Sequence, residues 1–261
     1  GWDLAARAEG VSLSQKLGGD RDVVPVGVSI GLKATDEELH ESVSGYLDDG
    51  YARVKIKIKP GRDIEMLAGL RERFPDVAFM ADANSAYTLD DVDRLKELDA
   101  LDLMMIEQPF SYDDFLDHAR LQEQLSTPVC LDESIKSEGD LALAFELGSC
   151  QIVNIKPGRV GGFGVSRRLH DTARDRDMPV WCGGMLESGV GRAYNVALAS
   201  LPGFSLPGDI SASQRYWEQD IVTPEFEVED GVMRVPSGVG LGVELDLDRI
   251  HGLTTREASF G

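Results

Sequence analysis

The chain has 261 residues, of which 42% are hydrophobic and 28% are charged. One barrel of about 250 residues accounts for that length, and the composition is that of a globular protein able to bury a core. The formal net charge is −20, from 46 acidic and 26 basic residues. So acidic a surface repels phosphate backbones, which excludes nucleic acid as a partner. No apolar run approaches the roughly 18 residues of a membrane span, so no membrane partner is expected either.

Short apolar runs that are rich in β-branched residues recur along the chain and predict eight strands. Most of them are continuously apolar, as expected of parallel strands that are covered on both faces. The segments between them show helical spacing, as in Leu89, Val92, Leu95 and Leu98. The predicted strands are Val24–Ile30, Arg53–Ile58, Ala78–Ala83, Leu103–Glu107, Pro128–Asp132, Ile152–Lys156, Val180–Gly183 and Phe204–Asp209.

Eight strands that alternate with seven helices predict an α/β fold, a (β/α)7β TIM-like barrel over residues 1–222. An open doubly wound sheet is the alternative. The barrel is favoured because strand count and chain length match it, and because no Gly-x-Gly-x-x-Gly turn follows the first strand. Residues 223–261 form a C-terminal tail in which Glu225–Val235 predicts a hairpin with its turn at Asp230-Gly231. This tail is expected to cross the barrel and pack on another element.

In a parallel barrel, reactive residues lie at the carboxyl ends of the strands. Those ends carry Lys57, Asp82, Glu107, Asp132 and Lys156, each about 25 residues after the one before. The even spacing predicts that all five side chains lie at one level of the barrel. Three carboxylates would then stand between two lysines.

Three carboxylates gathered without a cation would be unstable, because each pair about 4 Å apart repels by roughly 4 kcal/mol at an effective dielectric near 20. A hard divalent cation removes that repulsion, and oxygen ligands suit Mg²⁺, with Mn²⁺ as a substitute. Asp82, Glu107 and Asp132 are therefore the predicted metal ligands. The alternative is that each acid caps a helix or forms a loop salt bridge, the commoner fate of a single Asp at a strand end. Three acids in register between lysines favour the metal site.

The run Val54-Lys55-Ile56-Lys57-Ile58 alternates strictly between apolar and basic residues. In a barrel strand the apolar side chains face the outer helices, so the lysines are expected to point inward. Buried ammonium groups need partners, and the acids of the next strands supply them. Lys57 and Lys156 are the predicted acid/base pair.

The histidines and cysteines do not form a competing site. The histidines fall in predicted helices or in the tail, which favours packing or surface roles: they are His40, His118, His170 and His251. Cys130, Cys150 and Cys182 have no metal-type spacing, and their odd number argues against a disulfide framework. They are expected to be reduced core residues of a cytoplasmic protein.

Taken together, these residues resemble the enolase superfamily in its muconate-lactonizing-enzyme subgroup, and most closely the o-succinylbenzoate synthase / N-succinylamino acid racemase family. The resemblance spans nearly the whole chain. It rests on Lys55-Ile56-Lys57, Asp82-Ala83-Asn84, Ile106-Glu107-Gln108-Pro109, Leu131-Asp132-Glu133-Ser134 and the stretches 154–162, 181–189 and 206–211.

The resemblance implies a (β/α)7β barrel with Mg²⁺ on the three carboxylates and with Lys57 and Lys156 as the acid/base pair. Family members also carry an N-terminal α+β capping domain, which is expected to be absent from this chain. Residues 223–261 resemble the segment that packs back towards that domain. A further set of residues is implied to bind the substrate or to support the site: Lys55, Asn84, Glu133, Ser134, Asn154, Arg159, Gly183, Met185, Glu187 and Asp209.

The implied activity is that of a lyase acting on a small-molecule carboxylate. It dehydrates 2-succinyl-6-hydroxy-2,4-cyclohexadiene-1-carboxylate through an enediolate, a step of menaquinone biosynthesis. The alternative is an N-succinylamino acid or N-acylamino acid racemase that uses the same two lysines, or a bifunctional enzyme. Arg159 resembles the form found in the branch that contains racemases, whereas Asp209-Ile210-Ser211 lacks the Asp-x-Asp of dipeptide epimerases. A non-catalytic metal-binding barrel is a third hypothesis, and a homo-oligomer is compatible with all three.

Overall fold

A parallel sheet of seven strands forms the centre of the computed structural model, which describes residues 1–258. The sheet has the order β2-β3-β4-β5-β6-β7-β8, and each strand pairs with the next strand in the chain. The strands of this part of the chain are β1 (Val23–Pro25), β2 (Gly27–Ile30), β3 (Arg53–Lys57), β4 (Ala78–Asp82), β5 (Ile106–Glu107), β6 (Val129–Leu131), β7 (Ile152–Ile155), β8 (Val180–Cys182), β9 (Val222–Thr223), β10 (Val232–Arg234) and β11 (Glu244–Leu245).

Helices lie between successive strands of the sheet, and local sequence explains where they begin. Thr35, for example, accepts a hydrogen bond from the Glu38 N–H at 3.2 Å, and three acidic residues occupy the first turn that follows. The α-helices are α1 (Trp2–Glu9), α2 (Leu13–Leu17), α3 (Asp36–Asp48), α4 (Ile64–Arg73), α5 (Val92–Leu95), α6 (Phe115–Gln122), α7 (Glu138–Leu147), α8 (Pro157–Val160), α9 (Phe163–Arg174), α10 (Gly189–Ala199) and α11 (Leu247–Leu253).

The eighth segment of the barrel closes the sheet without forming a regular strand. Phe204 forms a parallel bridge to Val180 of β8, and Gly208 forms one to Val26, directly before β2. The Gly27 N–H donates to the carbonyl of Gly208 at 2.8 Å. The predicted α/β barrel is therefore confirmed, and its eighth strand is reduced to two bridges.

The barrel has an outer and an inner core, as the alternation of side chains requires. Val54 and Ile56 belong to the large apolar core that also includes residues of the outer helices. A separate cluster contains Met80, Met105, Cys130, Ile152 and Trp181, one residue from each of five neighbouring strands or their ends. The expectation that the lysines of β3 alternate with outward apolar residues is confirmed.

The tail packs on the first helices of this same chain. β10 pairs antiparallel with β1, and the carbonyl of Gly240 accepts from the Leu13 N–H at 2.7 Å. The Leu241 N–H donates to Asp3 at 2.8 Å. β9 lies across the predicted boundary between the barrel and the tail, residues 222 and 223. The division of the chain into these two parts stays a prediction.

Three sequence-based expectations about elements were wrong in detail. The run Val24–Ile30 is two strands, because β1 leaves the barrel to pair with β10. The predicted turn at Asp230-Gly231 is present, but the hairpin is reduced to one antiparallel bridge between Glu229 and Val232, because β10 otherwise pairs with β1. The helix predicted over Leu89–Leu98 is α5 flanked by the 3-10 helices Leu89–Asp91 and Lys96–Leu101. Periodicity detects the buried face of such a segment but not its hydrogen-bond pattern.

The histidines lie on helices, as predicted, on α3, α6, α9 and α11. Cys130, Cys150 and Cys182 are buried and free. No helix within residues 1–258 combines the length and the apolar character needed to cross a lipid bilayer.

Candidate active site

The predicted reactive residues lie at the carboxyl ends of neighbouring strands, but they do not share one register. Lys57 pairs with Asp82, and Asp82 pairs with Glu107. Glu107 then pairs with Cys130, so Asp132 lies further along the chain, just past the end of β6. Tilted barrel strands produce this stagger. Equal spacing in sequence therefore does not give equal register on every strand.

Asp82, Glu107 and Asp132 form a row of carboxylates, and Lys57 is bound at one end of this carboxylate row. Its Nζ lies 2.6 Å from Oδ2 of Asp82 and also donates to the side-chain oxygen of Asn84. The amide of Asn84 in turn donates to Glu133 at 3.0 Å. Asn84 has a left-handed backbone with φ 42°, which Asn tolerates better than most residues. Because the Lys57 side chain is 29% exposed, its amine is accessible from the barrel mouth.

Lys156 is bound at the other end of the row, where 2.7 Å separates its Nζ from Oδ2 of Asp132. Arg159 donates to the second oxygen of Asp132 and, through Nε, to the carbonyl of Ile135 at 2.7 Å. Lys156 directly precedes α8, and Pro157 at the first helical position is preorganised for the turn. One helical turn thus brings Lys156 and Arg159 to the same carboxylate.

Lys55 is the centre of a buried ion-pair network. Its Nζ lies 2.6 Å from Asp209, 2.9 Å from Glu107 and 3.1 Å from Asp82, and only 4% of its side chain is exposed. An ammonium group has three N–H donors, so each of the three carboxylates can receive one. Lys55 therefore offsets part of the carboxylate repulsion from inside the barrel.

Two buried oxygen atoms beside this network lack partners. Asn154 donates through Nδ2 to Oε1 of Glu107 at 2.7 Å. Within the described part of the chain, Oδ1 of Asn154 and Oε2 of Glu133 are buried without a hydrogen-bond partner. Buried polar atoms are normally paired, so two such oxygens next to one carboxylate row indicate that a further group belongs there.

Burial and neighbouring charges compete to set the pKa values of these groups. Complete burial raises the pKa of Glu107 to about 7, against the opposing charge of Lys55. Burial also acts to raise the pKa of Asp82, but the charges of Lys55 and Lys57 outweigh it, so that this pKa is lowered. Burial alone would lower the pKa of Lys55, yet the carboxylates of Asp209, Glu107 and Asp82 raise it well above its usual range. Lys55 is therefore a permanent cation at neutral pH.

Gln108 fixes the turn that carries Asp132. Its Oε1 accepts from the backbone N–H groups of Asp132 at 3.0 Å and of Ser134 at 3.2 Å. Its Nε2 donates to the Ser134 hydroxyl at 2.8 Å and to the carbonyl of Phe110 at 3.1 Å. Both lone pairs and both N–H groups of this buried amide are used, which leaves the turn little freedom. Ser134 thus supports the turn.

The loop after β8 passes very close to Lys156, and glycine allows the approach. A Cβ on Gly183 would lie 2.2 Å from Oδ1 of Asn154 and 2.6 Å from Cε of Lys156. A Cβ on Gly184 would lie 1.9 Å from the carbonyl oxygen of Asp209. A side chain at Gly184 would therefore require the Asp209 backbone to shift, and one at Gly183 would require the side chains of Asn154 and Lys156 to move.

Met185 and Glu187 lie further along the same loop and outside the ion-pair network. Met185 is 64% exposed. Glu187 accepts from the Met185 N–H at 2.7 Å and from the amide of Asn195 on α10 at 2.9 Å. Glu187 therefore shapes the loop, while the Met185 side chain is open to solvent.

Sequence reasoning missed Arg53 and Trp181. Arg53 lies 2.6 Å from Asp209 and donates to the carbonyl of Pro207 at 2.8 Å. The Arg53 guanidinium and the Lys55 ammonium lie 5.5 Å and 5.1 Å from the ring centre of Trp181. The alternation that predicts inward lysines on β3 extends one step back to Arg53, so the signal was present. Gln108 stood in a quoted motif, but only its contacts show its role.

The chemistry of the predicted ligands fits a divalent metal ion. Asp82, Glu107 and Asp132 are buried hard oxygen donors, and the unpaired oxygens of Asn154 and Glu133 lie beside them. Among residues 1–258, no three acidic, His or Cys side chains are gathered closely enough to hold an ion as they stand. Lysine or arginine side chains contact each of the three carboxylates directly. The ligand set itself stays a prediction.

Fold and site together define a (β/α)-barrel protein with a charged cluster at the carboxyl ends of its strands, where barrel enzymes carry their active sites. A family model described as enolase C-terminal domain-like matches residues 38–249. The chain belongs to this family of the enolase superfamily, which confirms the resemblance found in the sequence.

Named relatives fall on both sides of the synthase and racemase alternative. The chain is 54% identical over 253 residues to an o-succinylbenzoate synthase of Geobacillus stearothermophilus. The aligned region covers 97% of this chain and 68% of the relative. It is also 52% identical over 253 residues to an N-succinylamino acid racemase of Thermus thermophilus. That aligned region covers 97% of this chain and 69% of the relative.

Solved structures agree with this placement. An enolase-superfamily member from Listeria innocua has a TM-score of 0.93 at 49% identity, with 96% of this chain and 68% of that chain covered. A racemase from Streptomyces coelicolor, solved with bound magnesium, has a TM-score of 0.84 at 26% identity, with 97% and 69% covered.

Proposed function

We propose that this chain is a Mg²⁺-dependent o-succinylbenzoate synthase, a lyase that removes water from 2-succinyl-6-hydroxy-2,4-cyclohexadiene-1-carboxylate. The observation that carries the proposal is the row of three buried carboxylates with Lys57 bound at one end and Lys156 at the other. Identity of 54% to a synthase supports the choice of substrate. A place in menaquinone biosynthesis and a cytoplasmic location belong to the same proposal.

Asp82, Glu107 and Asp132 would hold the metal ion, Mg²⁺ or in its place Mn²⁺. When bound, the ion supplies Lewis-acid stabilisation of the negative charge that develops on the substrate carboxylate. Lys55 contacts Asp82 and Glu107 from inside the barrel, where its charge offsets part of their mutual repulsion.

The two lysines supply the proton chemistry. Lys57 takes the proton from the carbon beside the carboxylate, and the electron pair of the broken C–H bond moves into the carboxylate to give an enediolate. The C–O bond to the hydroxyl group then breaks, and Lys57 returns its proton to the departing oxygen, so that one water leaves and the ring becomes aromatic. Lys156 stays protonated and stabilises the anion from the other end of the row.

Several neighbouring groups are suited to bind the rest of the substrate. Oδ1 of Asn154 and Oε2 of Glu133 have free acceptor capacity within the described residues. At Gly183 the backbone of the loop passes directly against Lys156 and Asn154, and the exposed Met185 offers an apolar surface on the same loop. The two oxygens would accept a hydrogen bond from the ring hydroxyl group, and Met185 would contact the ring or the succinyl chain.

Racemisation of an N-succinylamino acid or another N-acylamino acid is the second candidate. Identity of 52% to a racemase and the position of Lys156, which is itself accessible with 18% of its side chain exposed, favour it. Each lysine would then deprotonate one enantiomer and the other lysine would reprotonate the opposite face. One site can serve both reactions, because both begin with removal of the proton beside a carboxylate.

One preparation assayed on both substrates with Mg²⁺ tests the proposal. Loss of the cyclohexadiene absorbance is expected with the synthase substrate, and Lys57→Ala is expected to abolish it. Turnover of N-succinylamino acids alone would replace the synthase assignment by the racemase. Turnover of neither substrate by protein that binds Mg²⁺ would contradict both and leave a metal-binding barrel.

A further inference from the structure

A row of charged side chains reaches from the closure of the barrel to the carboxylate row. Arg53 lies 2.6 Å from Oδ1 of Asp209, and Lys55 lies 2.6 Å from Oδ2 of the same carboxylate. Only 1% of the Arg53 side chain and 10% of the Asp209 side chain are exposed. So many buried charges are costly unless each is paired, and here each one is.

Asp209 reaches Lys55 from the opposite side to the carboxylate row. Lys55 belongs to β3, and β4 and β5, which carry Asp82 and Glu107, follow on one side of it. The segment 204–209 lies on the other side, beyond β2, where Gly208 bridges to Val26. The Lys55 ammonium is thus bound from both sides.

Lys55 and a divalent cation compete for the same oxygens. The Nζ of Lys55 lies 2.9 Å from Oε2 of Glu107 and 3.1 Å from Oδ2 of Asp82, whereas its distance to Asp209 is the shortest of the three at 2.6 Å. A carboxylate on the far side takes a share of the ammonium charge. The two carboxylates of the row then remain more negative toward an incoming cation.

We propose that Asp209 is a positioning residue that sets the affinity of the carboxylate row for a divalent cation by taking a share of the Lys55 ammonium charge from Asp82 and Glu107. The inference rests on the metal site of the proposed function. Arg53 keeps Asp209 from following Lys55 inward, because the guanidinium also donates to the carbonyl of Pro207 at 2.8 Å.

Trp181 is a further contact that restrains Lys55 and Arg53. The Lys55 ammonium lies 5.1 Å and the Arg53 guanidinium 5.5 Å from its ring centre, and the indole is fully buried. Cations over an aromatic face are attracted to it, and a buried ring in a packed core does not move aside. Lys55 therefore cannot move further toward Asp82 and Glu107 without leaving both Asp209 and Trp181.

Asp209→Asn tests the proposal, because it removes the charge and keeps the shape. The dissociation constant for Mg²⁺, measured by isothermal titration calorimetry on the purified chain without substrate, is expected to rise about 10- to 100-fold, the usual effect of losing a partner behind a metal ligand. The matched control is Asp220→Asn. Asp220 is also buried beside an arginine, Arg192 at 3.0 Å, and its replacement is expected to leave the Mg²⁺ affinity unchanged.

A double-mutant cycle with Lys55→Met separates this role from a general loss of negative charge. Lys55→Met alone is expected to tighten Mg²⁺ binding, because a competing cation is removed. If Asp209 acts through Lys55, then Asp209→Asn changes the affinity far less in the Lys55→Met background than in the wild type. An equal fold-change in both backgrounds would overturn the inference.

Asp209→Asn leaves Arg53 with one counter-ion fewer and risks unfolding the chain. The double variant Arg53→Met with Asp209→Asn removes both charges of that pair, and the same rise in the Mg²⁺ dissociation constant is expected of it. Wild-type protein that does not bind Mg²⁺ contradicts the proposed function. Wild-type protein that binds Mg²⁺ no better than the Asp209 variants contradicts only the role of Asp209.

Discussion

The three lysines at this site differ in the number of carboxylates that each one contacts and in their exposure to solvent. Lys57 and Lys156 each bind one carboxylate and remain accessible, whereas Lys55 binds three and is buried. Three residues of one chemical type therefore have two different roles. An accessible amine can exchange a proton with a substrate, and a buried permanent ammonium can only set the field around its neighbours.

Glu107→Gln is expected to raise the dissociation constant for Mg²⁺ by more than about tenfold, because a neutral amide replaces a buried anionic ligand. Calorimetric titration with Mg²⁺ measures the effect. Glu146→Gln on the exposed surface of α7 is the control and should bind Mg²⁺ as the wild type does. Equal affinity of the Glu107 variant would remove this carboxylate from the ligand set.

Lys156→Ala is expected to abolish racemisation, because only one face of the substrate then meets a lysine. Incorporation of deuterium from D₂O, followed by NMR on each enantiomer of an N-succinylamino acid, should persist for the enantiomer that Lys57 serves. Lys57→Ala should give the mirror-image result. Exchange of both enantiomers at normal rates in either variant would show that the two lysines are not the acid/base pair.

At the scale of elements, the site depends on the segments that approach it without being regular strands. The loop after β8 and the segment 204–209 meet where Gly184 lies against the carbonyl of Asp209. The Asp209 N–H also donates to the carbonyl of Cys182 at 3.0 Å. The segment 204–209 therefore both closes the barrel and places Asp209.

Gly184→Ala is expected to lower the free energy of unfolding by about 1–3 kcal/mol, because its Cβ would overlap the carbonyl oxygen of Asp209 and force the backbone to shift. Unfolding in urea, monitored by circular dichroism, measures the change. Gly45→Ala is the control, since Gly45 lies in α3 with open space around its Cβ position. It should stabilise the protein by about 0.5–1 kcal/mol, and equal behaviour of the two variants would disprove the close packing.

The whole molecule carries a formal charge of −20, and self-repulsion of that size opposes the compact state. The acidic surface is compatible both with a high-salt medium and with a solubilising role at ordinary salt concentrations. Neither alternative affects the site, whose charges are buried and paired and therefore little screened.

Raising NaCl from about 0.01 M to about 0.5 M, across which the Debye length falls from about 30 Å to a few ångströms, is expected to raise Tm by several degrees. Differential scanning calorimetry measures the Tm at each salt concentration. A variant with exposed acids on α3 changed to Lys (Glu37, Glu41 and Asp48) should show a smaller rise. A Tm independent of salt in the wild type would mean that surface repulsion contributes little to its stability.

Much of this arrangement is predictable from the sequence, and the errors have identifiable causes. Lys57 and Asp82 were placed correctly at strand ends, because Lys57 ends an alternating run and Asp82 ends an apolar one, and both patterns are local properties of a strand. The sequence spacing did not show that Asp132 lies two residues beyond the register partner of Glu107, because that offset comes from the tilt of the strands. The first predicted strand was wrong at Val24 because β1 pairs with the tail, a contact between distant parts of the chain.

The amino-acid sequence by itself determined the succession of strands and helices, the family, and which carboxylates and lysines stand at strand ends. Only the tertiary structure decided which charge pairs with which. Lys55 and Asp209 meet because the barrel closes between β8 and β2. Closure depends on the summed twist and tilt of all the strands, so no local pattern around either residue specifies that contact.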